Sequence, residues 1–242
     1  MKIGDWIVLA GPRRYVLKLE KKKFSTQHGE IDLAKLVGKK FGTRIKSHMG
    51  VEFVCFEARQ PDLLRKIKRM PQIVTFKDAG IIASYTGLNK EDVVIEAGTG
   101  SAALCIFMSG IAKKIYTHEI REDFFEGVKK NLEMVGAKNV VLRNKDITKG
   151  VREKCDVFVL DMGSPELAID TVKKSLKPGG FLVVYSPVIE QVQRVYKVLD
   201  EGFTEIRTKE IIEREWDIGN NKTRPMTQKI GHTAFLTFAR KT

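Results

Sequence analysis

One glycine loop and four acids carry the chemistry available to this chain. Gly98-Thr99-Gly100 stands between a short apolar run, Val93-Val94-Ile95, and a helically spaced stretch over 101–110. Glycines at such a turn let backbone N–H groups come close to a ligand. Glu96 directly precedes the turn, and Glu119 follows it by about 20 residues, where a carboxylate can accept hydrogen bonds from two ribose hydroxyls. Asp146 sits in Asn144-Lys145-Asp146-Ile147 and Asp161 ends Val159-Leu160-Asp161, each just after an apolar run.

With Ala103 the turn also fits G-x-G-x-x-G/A, which leaves a dinucleotide such as NAD open. The acids tilt the choice. One acid at the tip of each of four successive strands makes an anionic rim, and a pyrophosphate asks for the opposite sign. Ribose hydroxyls, an adenine amino group and a sulfonium suit that rim, so S-adenosylmethionine is favoured over NAD. The expected cofactor residues are Glu96, Gly98, Thr99, Gly100, Ser101, Glu119, Asp146 and Asp161. Singly each acid has a plainer reading: Glu119 caps the helix starting near 122, and Asp146 is a turn residue.

The elements that must position these residues form two rhythms. Over the first sixty residues β-rich runs at 6–9, 15–19, 44–47 and 51–56 are separated by glycine turns. We read 1–60 as a small β-domain, 61–70 as a basic helical linker, and 71–242 as a catalytic domain. In that last part strands at 93–95, 114–117, 139–142, 157–160 and 181–185 alternate with helices at 78–87, 101–110, 122–135, 166–175 and 189–200. A β-rich tail closes the chain. Such alternation means right-handed crossovers and a mainly parallel, doubly wound α/β sheet, Rossmann-like, with ligands at its carboxyl edge.

Charge divides along the same line. The 242 residues carry a formal charge of +13. Residues 1–70 hold 17 Lys and Arg against 7 Asp and Glu, so most of the excess lies in front of a nearly balanced remainder. A basic front end points to a polyanionic partner such as nucleic acid, with Arg13, Arg14, Lys21, Lys22 and Lys23 as candidate contacts. A lysine-rich solvated surface is the competing reading.

Cys55, Cys105 and Cys155 are far apart, without a C-x-x-C pair, and the four histidines do not cluster. Buried reduced thiols are expected, and no metal. The longest apolar stretch, 102–112, is interrupted by Ser109 and Gly110 and is too short to span a bilayer; no membrane association is expected. The start of the chain has no apolar signal core, so the expected location is the cytoplasm.

Several segments together resemble the tRNA (adenine-N1)-methyltransferases of the TrmI type. Val94-Ile95-Glu96-Ala97-Gly98-Thr99-Gly100-Ser101 is similar to that family's cofactor loop. Tyr185-Ser186-Pro187-Val188-Ile189-Glu190-Gln191-Val192-Gln193 resembles its S-P-C-I-E-Q-V-Q segment, with Val188 for Cys. Gly231-His232-Thr233-Ala234-Phe235-Leu236-Thr237-Phe238-Ala239 resembles its ending, and Arg224-Pro225 falls where the family has Arg-Pro. The resemblance implies a homotetramer that methylates N1 of adenosine 58 in the tRNA T-loop, and in some archaeal members the neighbouring position 57 too. It places the cofactor on Gly98, Gly100, Glu119 and Asp146, and the catalytic aspartate on Asp161.

Two segments depart from the family pattern. Its Y-P-K-D is Thr75-Phe76-Lys77-Asp78 here, and its D-x-P-x-P-W is Asp161-Met162-Gly163-Ser164-Pro165-Glu166. Phe76 is then the nearest aromatic to stack on a flipped base. His232 is expected to bond a backbone carbonyl and hold the last strand. The altered pocket segments keep two alternatives open: a methyltransferase acting on another RNA site, or a non-catalytic tRNA-binding subunit of the same fold.

Overall fold

The computed structural model describes residues 1–70, 73–199, 202–219, 223–227 and 231–242. They divide into two units, Met1–Ile67 and Lys68–Thr242.

The first unit is built on β1 (Trp6–Ala10), β2 (Tyr15–Lys18), β3 (Lys23–Thr26), β4 (Gly29–Asp32), β5 (Arg44–Lys46) and β6 (Glu52–Glu57). Antiparallel pairing gives the order β2-β1-β6-β5, and β3 and β4 form a separate hairpin. Alternation puts Ile7 and Leu9 of β1 into a core with Leu19, Ile31, Phe53 and Cys55. The β3–β4 hairpin went unforeseen because its eight residues carry only Phe24 and Ile31 as large apolar side chains.

The expected helical linker over 61–70 is instead a five-residue helix, α1 (Gln60–Leu64), within the first unit. Asp62 caps it by accepting from the Arg59 N–H at 2.9 Å. Beyond it Arg65, Lys66, Lys68 and Arg69 would repel one another at helical spacing. In the second unit the backbone of Lys68 is held by Asn131 at 2.9 and 3.0 Å, and that of Met70 by Ser101 at 2.7 and 3.2 Å. Those bonds hold the chain outside a helix.

The second unit opens with α2 (Phe76–Thr86), β7 (Val93–Ala97), α3 (Ala103–Ser109), β8 (Lys114–His118), α4 (Glu122–Val135) and β9 (Val140–Arg143). It continues with β10 (Cys155–Leu160), α5 (Ile169–Ser175), β11 (Leu176–Ser186), α6 (Ile189–Val198) and β12 (Phe203–Glu210). A short hairpin of β13 (Trp216–Ile218) and β14 (Thr223–Pro225) precedes β15 (Phe235–Lys241). Helix α4 starts on Glu122 and Asp123, which favour a helix N-terminus, and stops at Gly136, whose φ of 70° a side chain would oppose.

The large sheet has the order β12-β15-β11-β10-β7-β8-β9. Five neighbouring strands are parallel, and the tail strand β15 inserts antiparallel between β11 and β12. Phe158, Leu160, Leu182 and Val184 of the central strands anchor its core with Val172 of α5. Before α5 the chain makes a 3-10 turn, Pro165–Ala168, where a longer helix was expected. Helix α6 ends at Val198; residue 200, its expected end, lies outside the described residues. No helix among the described residues is long and apolar enough to cross a membrane.

Candidate active site

The strand order turns back on itself at β7, with β8 on one side and β10 on the other. Loops leaving a parallel sheet diverge at such a point and open a crevice at the carboxyl ends of the strands. A cavity of about 470 Å³ lies there, and Gly98, Glu119, Asp146 and Asp161 all line it. These residues follow β7, β8, β9 and β10 respectively, so crossover topology brings together positions spread over 64 residues of chain.

The glycine turn is pressed against its neighbours. The Gly98 N–H donates to the His118 carbonyl at 3.0 Å, and the Asp161 N–H donates to the Ala97 carbonyl at 2.9 Å. At Gly98 φ is +87°, and a Cβ would stand 1.6 Å from the Asp161 carbonyl oxygen. Only glycine fits. Ala102 then enters α3 from a left-handed φ of 64°, a strain of about 1 kcal/mol for a residue with a Cβ.

Glu119 is buried, and the turn itself orients it. Oε2 accepts from the Gly100 N–H at 2.9 Å, while Oε1 accepts from the Arg121 N–H at 3.0 Å and Nε at 3.1 Å. Asn144 donates to the Glu119 carbonyl at 2.8 Å and ties the ends of β8 and β9 together. Asp146 accepts from the backbone and hydroxyl of Thr148, which hold its carboxyl below the usual range. Asp161 is pushed up to about 7, chiefly by burial; Arg121 opposes the shift and Glu119 adds to it.

The rim is less purely acidic than the sequence suggested, because Arg121 and Lys145 also line the cavity. Sequence reasoning missed both, although each lies within two residues of a predicted acid. It also missed Gln191, which lines the cavity from α6 and donates to the Gly163 carbonyl at 3.0 Å. Arg194 donates to the same carbonyl and pairs with Glu166 at 2.9 Å. Glu166, where the family pattern has Trp, thus latches the loop after β10 to α6.

Five predicted site residues of the second unit, Glu96, Thr99, Gly100, Ser101 and Phe76, do not line the cavity. Glu96 points behind the loop because alternation along β7 turns it there. The Thr117 hydroxyl donates to it at 2.5 Å, and Thr99 Oγ1 lies 2.6 Å from Thr117 Oγ1. Burial pushes the Glu96 carboxyl up to about 8, with Thr117 opposing, so it stays protonated at neutral pH. Ser101 is a strut that brackets the Met70 backbone. Phe76 is 45% exposed. Its neighbours Lys77 and Asp78 turn inward instead, Lys77 bonding Asp78 at 2.7 Å and Thr233 at 2.6 Å, while the Tyr185 hydroxyl donates to Asp78 at 3.3 Å. One residue earlier on the helix therefore faces out. Gly100 lies outside the cavity wall too, but its N–H orients Glu119.

The protonated Glu96 has a measurable consequence. A carboxyl whose folded value rises from 4.5 to about 8 takes up a proton on folding, so stability falls as pH rises through that window. The cost at pH 7 is on the order of 3 kcal/mol. In Glu96→Gln, unfolding followed from pH 4 to 9 should show a markedly shallower decline than the parent; parallel curves would remove the assignment.

His232 bonds Glu210 at 2.6 Å and the Pro187 carbonyl at 2.9 Å, which hold its imidazole above the usual range and fix the start of the last strand. All three cysteines are buried and free. Among the described residues no group of three or more His, Cys, Asp or Glu is placed to hold a metal. In the first unit Lys22 pairs with Glu20 at 2.6 Å, Lys23 with Glu30 at 2.8 Å, and Arg14 with Asp62. Arg13 reaches Gln27, and Lys21 stays exposed.

The doubly wound sheet, its glycine turn and the carboxylates at the following strand tips are shared with the solved S-adenosylmethionine-dependent methyltransferases that the chain resembles, and the chain is of that class. Within that class the chain belongs to the family described as "tRNA methyltransferase complex GCD14 subunit", whose profile matches residues 53–223. It is 36% identical to the tRNA (adenine(57)-N(1)/adenine(58)-N(1))-methyltransferase TrmI of Methanocaldococcus jannaschii, over 94% of this chain and 91% of that one. Among solved structures it is similar to a SAM-dependent O-methyltransferase from Thermotoga maritima, with a TM-score of 0.90 and 31% identity, covering 100% and 94% of the two chains. The tRNA (m1A58) methyltransferase TrmI from Aquifex aeolicus follows at 0.85 and 28%, covering 100% and 98%.

Proposed function

We propose that this chain transfers a methyl group from S-adenosylmethionine to N1 of adenosine 58 in the T-loop of tRNA. The observation that carries this reading is the single cavity wall on which Gly98, Glu119, Asp146 and Asp161 meet. Its donors and acceptors fit the cofactor: Glu119 offers a buried carboxylate to ribose hydroxyls, Asp146 an ionised one to an amino group, and Gly98 a backbone without a side chain. When bound, S-adenosylmethionine supplies a methyl group on a positively charged sulfur.

The chain's own work is alignment and electrostatics. Adenine N1 already has a lone pair, so no residue must deprotonate it. Methylation at N1 leaves the ring cationic, and positive charge grows on it as the new bond forms. The Asp161 carboxylate stabilises that charge and accepts a hydrogen bond from the N6 amino group. Closing the cavity against water strengthens both effects.

Glu119 provides a direct check on the cofactor half of this reading. Glu119→Ala should weaken S-adenosylmethionine binding about 10- to 100-fold by calorimetry, since hydrogen bonds to a charged group are worth about 1.5–3 kcal/mol. An unchanged dissociation constant would remove Glu119 from the cofactor site.

The activity test uses unmodified tRNA transcript and radiolabelled S-adenosylmethionine, followed by nucleoside analysis. 1-Methyladenosine at position 58 supports the proposal, and its appearance at 57 extends the target. The similarity to the Thermotoga maritima SAM-dependent O-methyltransferase favours a second reading, an oxygen acceptor, for which a 2′-O-methylated nucleoside would be the product. Cofactor binding without methyl incorporation would mark a non-catalytic subunit.

The finer reading of the assembly is a homotetramer. The β13–β14 hairpin supports it, because its Trp216 and Ile218 side chains are 53% and 78% exposed. Buried free cysteines support a reducing compartment, the cytoplasm.

A further inference from the structure

A groove of about 560 Å³ lies on the first unit, along β2, the edge strand of its sheet. Trp6, Lys18, Tyr15, Phe24, Arg65 and Lys66 form most of its wall. Trp6 and Lys18 face each other in register across β1 and β2, with the ammonium 5.4 Å from the indole centroid. The Arg13 guanidinium lies 6.0 Å from the Tyr15 ring, which meets Phe24 edge-on at 5.4 Å.

The charges along this groove are not equally available. Arg14 is paired with Asp62, and Glu20, the acid of the wall, is paired with Lys22. Lys18, Arg65 and Lys66 have no carboxylate partner among the described residues. The Lys21–Lys22–Lys23 run looks the stronger anion site in the sequence, yet Lys22 and Lys23 are already neutralised. Three uncommitted cations, Lys18, Arg65 and Lys66, line the groove.

Cations without acids, placed beside aromatic faces on an open edge, match the two demands of single-stranded nucleic acid. Phosphates need charge, and unstacked bases need a ring. An acidic peptide would use the charges alone. We propose that this groove holds an unpaired stretch of the RNA substrate, with phosphates on Lys18, Arg65 and Lys66 and one base stacked on Trp6. The proposal rests on the reading of the substrate as tRNA.

The test uses the full chain carrying Trp216→Phe, which leaves Trp6 as its only tryptophan. Titration with unmodified tRNA should quench Trp6 fluorescence, whereas heparin should bind without quenching. Trp6→Leu should weaken tRNA binding about tenfold or more, and Trp6→Phe should restore most of it. The triple change Lys18→Ala, Arg65→Ala, Lys66→Ala should lower the salt slope of tRNA binding by about 2. Thermal unfolding of each variant reports whether it is folded. Unchanged affinity and slope in folded variants overturn the groove, as does equal quenching by heparin. Methylation by the parent alongside normal binding by the variants sinks the groove alone. Groove-dependent binding of tRNA without methylation sinks the enzymatic reading and leaves the groove standing.

Discussion

Asp161→Ala is expected to bind S-adenosylmethionine nearly as the parent does and to transfer methyl groups about 10²- to 10³-fold more slowly. The reason lies in where charge changes. The cofactor brings its positive charge into the site, whereas the target ring acquires charge only as the new bond forms. A carboxylate facing the ring stabilises the transition state more than either reactant, and its loss falls on kcat. Asp161→Asn separates the charge from the shape, and should be slow like the alanine variant.

Acidity supplies an independent readout. Burial raises Asp161 to about 7, and the proposed mechanism uses its ionised form. The kcat/KM of the parent should therefore climb as pH rises through about 7 and level off above it, because this profile reports the free chain. The cationic cofactor favours the carboxylate, so the limb in kcat should move to lower pH. The same limb in Asp161→Asn would assign it to another group.

Gly98→Ala carries the second large effect. Its Cβ would stand 1.6 Å from the Asp161 carbonyl, which is backbone and cannot rotate aside, and φ is +87°. The loop must move away from β10, with a cost of about 4 kcal/mol or more. Binding of S-adenosylmethionine should fall at least about 100-fold and the unfolding temperature should drop sharply. Gly80→Ala is the control, since α2 is helical there and a Cβ meets nothing within 4 Å. It should stabilise the chain by about 0.5–1 kcal/mol. Equal unfolding temperatures in Gly98→Ala and the parent would remove the close-approach argument.

Both effects meet at the contact between the Gly98 turn and the Asp161 backbone. The turn that leaves room for the cofactor rests on the residue assigned to the target base. Displacing Gly98 therefore also displaces the acid, and the two substitutions should not be additive.

Local chemistry made much of this legible. Alternating apolar runs and helical spacings located β7, β8, β10, α2, α4 and α6 to within a few residues. The order of strands and helices implied crossovers, and therefore a cavity where Glu119, Asp146 and Asp161 could meet. The hairpin β3–β4 was not legible, because Lys, Ser, Thr, Glu and Asp fill most of its positions. Helix α1 was overextended, since apolar spacing continues to Ile67 while the stop comes from crowded cations and from bonds made by Asn131 and Ser101. The parallel sheet gains an antiparallel member, β15, because pairing between distant strands leaves no local mark.

The sequence by itself determined the parts: a basic front end, a glycine turn, and an acid at the tip of each of four strands. Their types and spacings follow from backbone periodicity, which acts over a few residues. Only the tertiary structure decided how the parts are used. Glu96 shares the loop's sequence but is sealed behind it as a neutral acid, whereas Glu119 and Asp161 face the cavity. Lys22 and Lys23 share the basic run but are spent on Glu20 and Glu30, whereas Lys18, Arg65 and Lys66 stay available. Desolvation and ion pairing set both outcomes, and each depends on neighbours that the chain supplies from elsewhere.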